Sequence, residues 1–174
     1  MDASPSDDEA EANLRACGVE DKDVPVLLQA ARTLSAQVAA QPQGLLHQDF
    51  LPDNLGWRGD REEMVVYDLH KNALGPRFAD VAPYLALPDW SSRAAFLDTS
   101  EEGTVSRRES LVRNYLDEYA QFGGPVVAPQ VFHEETTALF WMHKVAALGW
   151  LLQQQQISRV REVLDFLNRA AAST

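Results

Sequence analysis

Between Leu45 and Trp57 the chain reads LLHQDFLPDNLGW, and this window constrains the fold more than any other. His47, Asp49, Asp53 and Asn54 lie within eight residues, flanked by Leu45, Leu46, Leu55 and Trp57. Such flanks hold a polar loop against a core instead of leaving it in open solvent. The window also separates two kinds of periodicity. Upstream, Val24, Leu27, Leu28, Ala31, Leu34 and Val38 recur at helical spacing. Asp23 is placed to cap that helix, Pro25 suits its first turn, and QPQG (41–44) ends it. Downstream, Leu55–Trp57 and Met64–Tyr67 are short runs of strand-forming types around the turn signal Gly59-Asp60. The spacing predicts a small β-hairpin with Asp68 at the end of its second strand.

After NALGPRF the pattern is helical again. Asp80 is placed to cap a short helix carrying Val81, Tyr84 and Leu85, and LPDWSS (87–92) interrupts it. Ser106-Arg107-Arg108-Glu109 has the form of a capping box. It precedes a helix with Leu111, Val112, Tyr115, Leu116 and Tyr119 on one face, stopped by Gly123-Gly124-Pro125. A long helix over 129–152 and a final amphipathic helix with Val160, Val163, Leu164 and Leu167 complete the pattern. Residues 1–22 are acidic and poor in large apolar groups, which predicts a mobile tail ahead of one helical domain over 23–172. The expected fold is mainly α with a small β-hairpin.

Bulk properties exclude several classes. The net charge of −11 disfavours nucleic acid and anionic membrane as partners. Residues 1–23 hold eight acids against Arg15 and Lys22 (−8 + 2 = −6), so the remaining chain carries only −5. Cys17 is the sole cysteine, so neither an internal disulfide nor a cysteine-based zinc site can form, as suits a cytoplasmic protein. MDASPSDDEAEA lacks the basic and apolar regions of a signal peptide. The most apolar stretch, 138–152, is broken by His143 and Lys144 and is too short to span a bilayer.

The polar window has a chemical reading. A loop aspartate, Asp49, can accept the proton of an attacking hydroxyl. Asn54, five residues later, can offer its carbonyl oxygen to a divalent metal. Asp68, at 68 − 49 = 19 residues from Asp49, can hold the same metal. Oxygen donors of this kind suit Mg²⁺. The set is that of kinase-type phosphoryl transfer, which needs alignment and charge neutralisation more than covalent help.

On these residues the chain resembles the aminoglycoside phosphotransferase and choline kinase-like family. HQDFLPDN followed by VVYDLHKNALGPRFADVA is similar to that family's H-x-D-x-x-x-x-N, strand into D, and G-x-x-x-x-D, at His47, Asp49, Asn54, Asp68, Gly75 and Asp80. The resemblance covers roughly 24–170 and implies a protein-kinase-like C-terminal lobe. It makes Asp49 the catalytic base and Asn54 and Asp68 the ligands of Mg²⁺ and ATP. His47 braces the loop, and Asp80 ties the next helix to it. The implied activity is ATP- and Mg²⁺-dependent phosphorylation of a small-molecule hydroxyl.

The chain departs from the family pattern in three places. Gln48 stands where glycine is common, and Leu69-His70 replaces an aromatic-acidic pair. Upstream of His47 there are Gly18, Gly44 and Lys22 but no strand pattern, so the chain is expected to be a truncated large lobe with the N-terminal β-lobe absent. Such a lobe alone should turn over weakly or not at all, and should take its second lobe from a separate chain or self-associate. The alternative is a catalytically inactive remnant that binds a partner or substrate. A metal-dependent hydrolase using His47, Asp49 and Asp68 is a weaker third reading. His70 and Lys71 either approach phosphate or lie in an exposed loop. Asp117, Glu118, Glu134 and Glu135 either line a pocket for a cationic substrate or form a solvated helix face. His133 and His143 fall on different helix faces and make no metal pair, and Trp141 and Trp150 are expected in the core.

Overall fold

The computed structural model describes residues 6–50, 52–60, 63–85 and 101–172. The chain divides into two compact units, Met1–Ala40 with Ala138–Thr174, and Gln41–Thr137. The interruption expected at 87–92 lies outside the described residues. Among the described residues no helix is long and apolar enough to cross a membrane.

In the first unit, residues 7–16 form helix α1 (Asp7–Ala16) where acidic composition suggested a tail. Ser6 Oγ accepts from Glu9 N at 3.3 Å, and Asp7, Asp8 and Glu9 sit at the positive end of the helix dipole. Acidity there favours a helix start instead of opposing structure, and Leu14 buries itself in the core. Left-handed Gly18 (φ +82°) ends α1: its N donates to Arg15 O at 2.9 Å, and Val19 N donates to Leu14 O at 3.2 Å. Helix α2 (Val24–Ala39) has Pro25 in its first turn, but the Asp23 side chain makes no capping bond.

Helix α5 (Pro129–Ala146) begins in the second unit and ends in the first. The helix expected over 129–152 is interrupted at Ala147 (φ −80°, ψ 0°), and α6 (Leu148–Gln153) follows. α7 (Ile157–Ala172) presents Val160, Val163 and Leu167, spaced by three and four, to Leu27 and Leu28 of α2 and Leu148 and Leu151 of α6. Each such burial stabilises by about 1.5–3 kcal/mol relative to exposure. Trp141 stacks on Phe166 at 4.1 Å between centroids, as a core residue should, whereas Trp150 is exposed.

The second unit is built on two nested strand pairs. β1 (Gln43–Leu46) pairs antiparallel with β4 (Ala73–Pro76), and β2 (Leu55–Arg58) with β3 (Glu63–Val66). The inner pair is the predicted hairpin; the outer pair was not foreseen. Leu46 faces Ala73 and Leu55 faces Val66, so residues 47–54 and 67–72 are opposed segments between two paired stretches. Gly75 lies close to Leu46: a Cβ there would meet Leu46 Cδ1 at 2.5 Å, so the buried leucine side chain would have to shift. The pairs present apolar groups to solvent, Leu45 opposite Leu74 (74% and 77% exposed) and Trp57 opposite Met64 (67% and 62%).

Helix α3 (Ala82–Leu85) follows β4. α4 (Glu101–Gln121) starts five residues before Ser106, which therefore lies within the helix and does not cap it. It stops before Gly123-Gly124 as expected. Val112 and Leu116 of α4 pack with Phe78 and with Phe132 of α5, and the Phe78 and Phe132 rings are 4.9 Å apart. Arg77 and Glu135 form a buried two-bond pair, Nε to Oε2 at 3.0 Å and Nη2 to Oε1 at 2.6 Å. Glu135 is thus a structural anchor and neither a solvated acid nor a pocket wall, while Asp117, Glu118 and Glu134 are exposed.

Candidate active site

Strand β1 delivers buried Leu46 and then buried His47 to the base of the polar loop. The next residue, Gln48, is left-handed (φ +65°), so the chain turns sharply there. A non-glycine residue tolerates that conformation only where its surroundings fix it. Asp80 supplies the restraint. Its Oδ2 accepts from His47 N at 2.5 Å and its Oδ1 from Gln48 N at 3.0 Å. The carboxylate thus satisfies two successive amides that β1 can no longer pair.

The His47 ring is a cross-brace. Nδ1 accepts from Asp49 N at 3.3 Å, so the ring proton sits on Nε2, which donates to Tyr67 O at 2.6 Å. Asn54 ties the far end of the loop, its Nδ2 donating to Asp49 O at 2.8 Å. Asn54 O accepts from Tyr67 N at 2.8 Å, which extends the hairpin register by one step. Tyr67 is therefore gripped on both backbone groups by the 47–54 loop, and Asp68 is the next residue. The Tyr84 hydroxyl donates to Phe50 O, and its ring meets Phe50 edge-on at 5.9 Å. These bonds place Asp49, Asn54 and Asp68 on two facing segments of one unit.

The side chains left available differ in role. The Asp49 carboxylate is 28% exposed, and Lys71 Nζ lies 3.3 Å from its Oδ2. Asp68 takes a left-handed backbone (φ +60°, ψ +53°), which aspartate tolerates better than most residues, and its Oδ1 meets His70 Nδ1. With its amide nitrogen turned to Asp49 O, Asn54 keeps its carbonyl oxygen for a cation. That oxygen and the Asp68 carboxylate are hard donors, and a protein pair completed by water and phosphate oxygens is a usual Mg²⁺ arrangement. Among the described residues no three His, Cys, Asp or Glu side chains gather as a metal-binding group. The residue types therefore fit Mg²⁺ held with a phosphate ligand better than a zinc-type hydrolase centre.

Nearby, Tyr115 packs against Phe78 and Phe132. Burial first, then Tyr119 and the charge of Asp80, push its hydroxyl up to about 12, with Arg77 opposing. In the first unit, Lys22, the only lysine ahead of the loop, pairs on the surface with Glu20 at 2.7 Å. A cleft of about 200 Å³ there is lined by Glu11, Arg15, Asp21 and Arg32 and holds none of the motif residues. Its arginines are already paired, Arg15 with Glu11 and Asp21, and Arg32 with Asp7.

Sequence reasoning missed the Lys71–Asp49 contact and the Tyr84–Phe50 bond. Lys71 had only a weak signal, a cation three residues past Asp68. Tyr84 read as a helix-face residue and gave none.

A model described as the phosphotransferase enzyme family (APH) matches residues 2–129, which is 129 − 2 + 1 = 128 of the 174 residues. The matched span contains both polar segments and Asp80. No curated protein and no solved structure matches the chain.

Proposed function

The chain belongs to the phosphotransferase enzyme family, and we propose that its 47–80 cluster transfers a phosphoryl group from ATP to the hydroxyl of a small molecule. The observation that carries this reading is the nested strand pairing, which sets the Asp49–Asn54 loop against the segment of Asp68. Asp49 orients the attacking hydroxyl and accepts its proton. Asn54 and Asp68 are the residues that would hold Mg²⁺, which when bound neutralises phosphate charge. His47 and Asp80 hold the loop through its backbone, so that Asp49 is pre-positioned at little cost during the reaction.

Titration calorimetry with ATP and Mg²⁺, combined with a coupled assay on amino alcohols and amino sugars, tests the assignment. Asp68→Ala should lose both nucleotide binding and turnover. Asp49→Asn should keep nucleotide binding and lose about 10²–10⁴ in turnover, as expected for a general base. Turnover retained at the wild-type level in both variants would remove the enzymatic assignment.

A further inference from the structure

We infer that Lys71 is a catalytic residue that grips the transferring phosphoryl group, and that its contact with Asp49 is the resting position of a cation that moves to phosphate. The inference rests on the phosphoryl-transfer reading above and adds a residue to it. Lys71 closes the short 3₁₀ turn Leu69–Lys71, directly after Asp68 and two residues before β4. The register of Leu46 with Ala73 holds that turn beside the start of the Asp49 loop. Lys71 Nζ lies 3.3 Å from Asp49 Oδ2, and its side chain is 50% exposed, so the stem is free to swing.

A structural role does not account for this placement. A half-exposed lysine–carboxylate pair contributes at most about 1 kcal/mol. A static pair would also keep occupied the oxygen that a base must offer. Three other cations of this unit are engaged elsewhere: Arg58 with Asp60, Arg77 with Glu135, and Arg113 with Glu109. Lys71 is the cation that faces the proton acceptor.

Distance allows the transfer of contact. A base sits about 2.6–3.2 Å from the hydroxyl it deprotonates, and the phosphorus lies about 3–3.5 Å beyond the attacking oxygen. Non-bridging phosphoryl oxygens therefore fall roughly 5–7 Å from the Asp49 carboxylate, within the sweep of a four-carbon stem anchored beside it. In the step itself the hydroxyl oxygen bonds to the γ-phosphorus and the bridging P–O bond to the β-phosphate breaks. The bond pair stays on the ADP oxygen, and the hydroxyl proton passes to Asp49. Lys71 keeps its own protons and donates to a non-bridging oxygen, where charge is spread in the transition state. Its departure from Asp49 frees Oδ2 to receive the proton.

The test uses the full chain at millimolar ADP and Mg²⁺, with and without fluoroaluminate, a planar mimic of the phosphoryl group in flight. Affinities are read by calorimetry and folding by circular dichroism. Wild type should bind ADP·Mg²⁺ and gain about tenfold or more with fluoroaluminate, as transition-state mimics do. Lys71→Met should keep ADP·Mg²⁺ affinity within about threefold and lose that gain, while Lys71→Arg should retain part of it. Asp68→Ala should lose ADP·Mg²⁺ itself. Full fluoroaluminate gain in folded Lys71→Met, or no gain in a wild type that binds ADP·Mg²⁺, overturns the role of Lys71 and leaves the phosphotransferase reading standing. A wild-type chain that binds no ADP·Mg²⁺ overturns both.

Discussion

At the scale of single residues, the site depends on one carboxylate that touches no substrate. Asp80 is the acceptor for His47 N and Gln48 N, where β1 stops pairing and the chain turns. Asp80→Ala leaves two amides without that acceptor and should cost about 2–4 kcal/mol, since charge-assisted bonds are worth about 1.5–3 kcal/mol and orphaned donors add to the loss. Asp80→Asn keeps one acceptor oxygen and should lose about half as much, and urea denaturation separates the two. Gln48 is the complementary case. Its left-handed backbone costs about 1–2 kcal/mol that glycine would not incur, but glycine adds freedom to the unfolded chain. Gln48→Gly should therefore leave stability unchanged or slightly raised, and Gln48→Val should lower it by at least about 1 kcal/mol. A marked loss in the glycine variant would mean that the Gln48 side chain itself holds the loop. The family resemblance implies glycine as the common residue here, and the positive φ gives the physical reason.

At the scale of elements, two helix ends in the first unit share one solution with different residues. α1 ends on left-handed Gly18 with paired backbone bonds to Arg15 and Leu14. α6 ends the same way on left-handed Gln155, whose N donates to Leu152 O at 3.0 Å while Gln156 N donates to Leu151 O at 2.9 Å. The motif favours glycine at this position. Gln155→Gly should raise stability by about 0.5–1 kcal/mol and the melting temperature by a few degrees. Gly18→Ala should shift both the other way, and calorimetric melts of the pair check the sign. Nothing in the composition of the QQQQ run (153–156) says that one of its glutamines is left-handed.

At the scale of the whole molecule, each of the two units holds an apolar cluster among its described residues. The aromatic cluster of the second unit predicts a pH dependence. The Tyr115 hydroxyl, raised to about 12 mainly by burial, titrates near the ordinary tyrosine value of about 10 once unfolded. Between these values the folded state holds a proton that the unfolded chain releases, so stability falls as pH rises. The full contribution is present below pH 10 and lost as pH approaches 12. After discounting for partial exposure the loss should be about 1–2 kcal/mol. Urea midpoints at neutral and strongly alkaline pH should diverge more for wild type than for Tyr115→Phe; identical slopes would place Tyr115 outside the cluster's electrostatics.

The sequence by itself determined what depends on near neighbours. The periodicities of α2 and α7 and the hairpin at Leu55–Arg58 and Glu63–Val66 could be read because each signal lies within one element or across one turn. The candidate roles at 47, 49, 54 and 68 could be put forward because they rest on residue type and short spacing, both of which are local. Tertiary structure decided the rest. β1 and β4 are four-residue segments containing glycine or proline, and they become strands only through pairing across the hairpin, Leu46 to Ala73. Glu135 reads as a surface acid until Arg77 meets it in the interior. Asp80 reads from local pattern as a helix cap, and from the family resemblance as a tie to the loop; that it does so through the two amides at the end of β1 appears only in the structure. Lys71 reads as a loop lysine until the same pairing brings it to Asp49. In each case a backbone or side-chain polar group found its partner far along the chain, and such partners are set by how the chain closes, which local pattern does not encode.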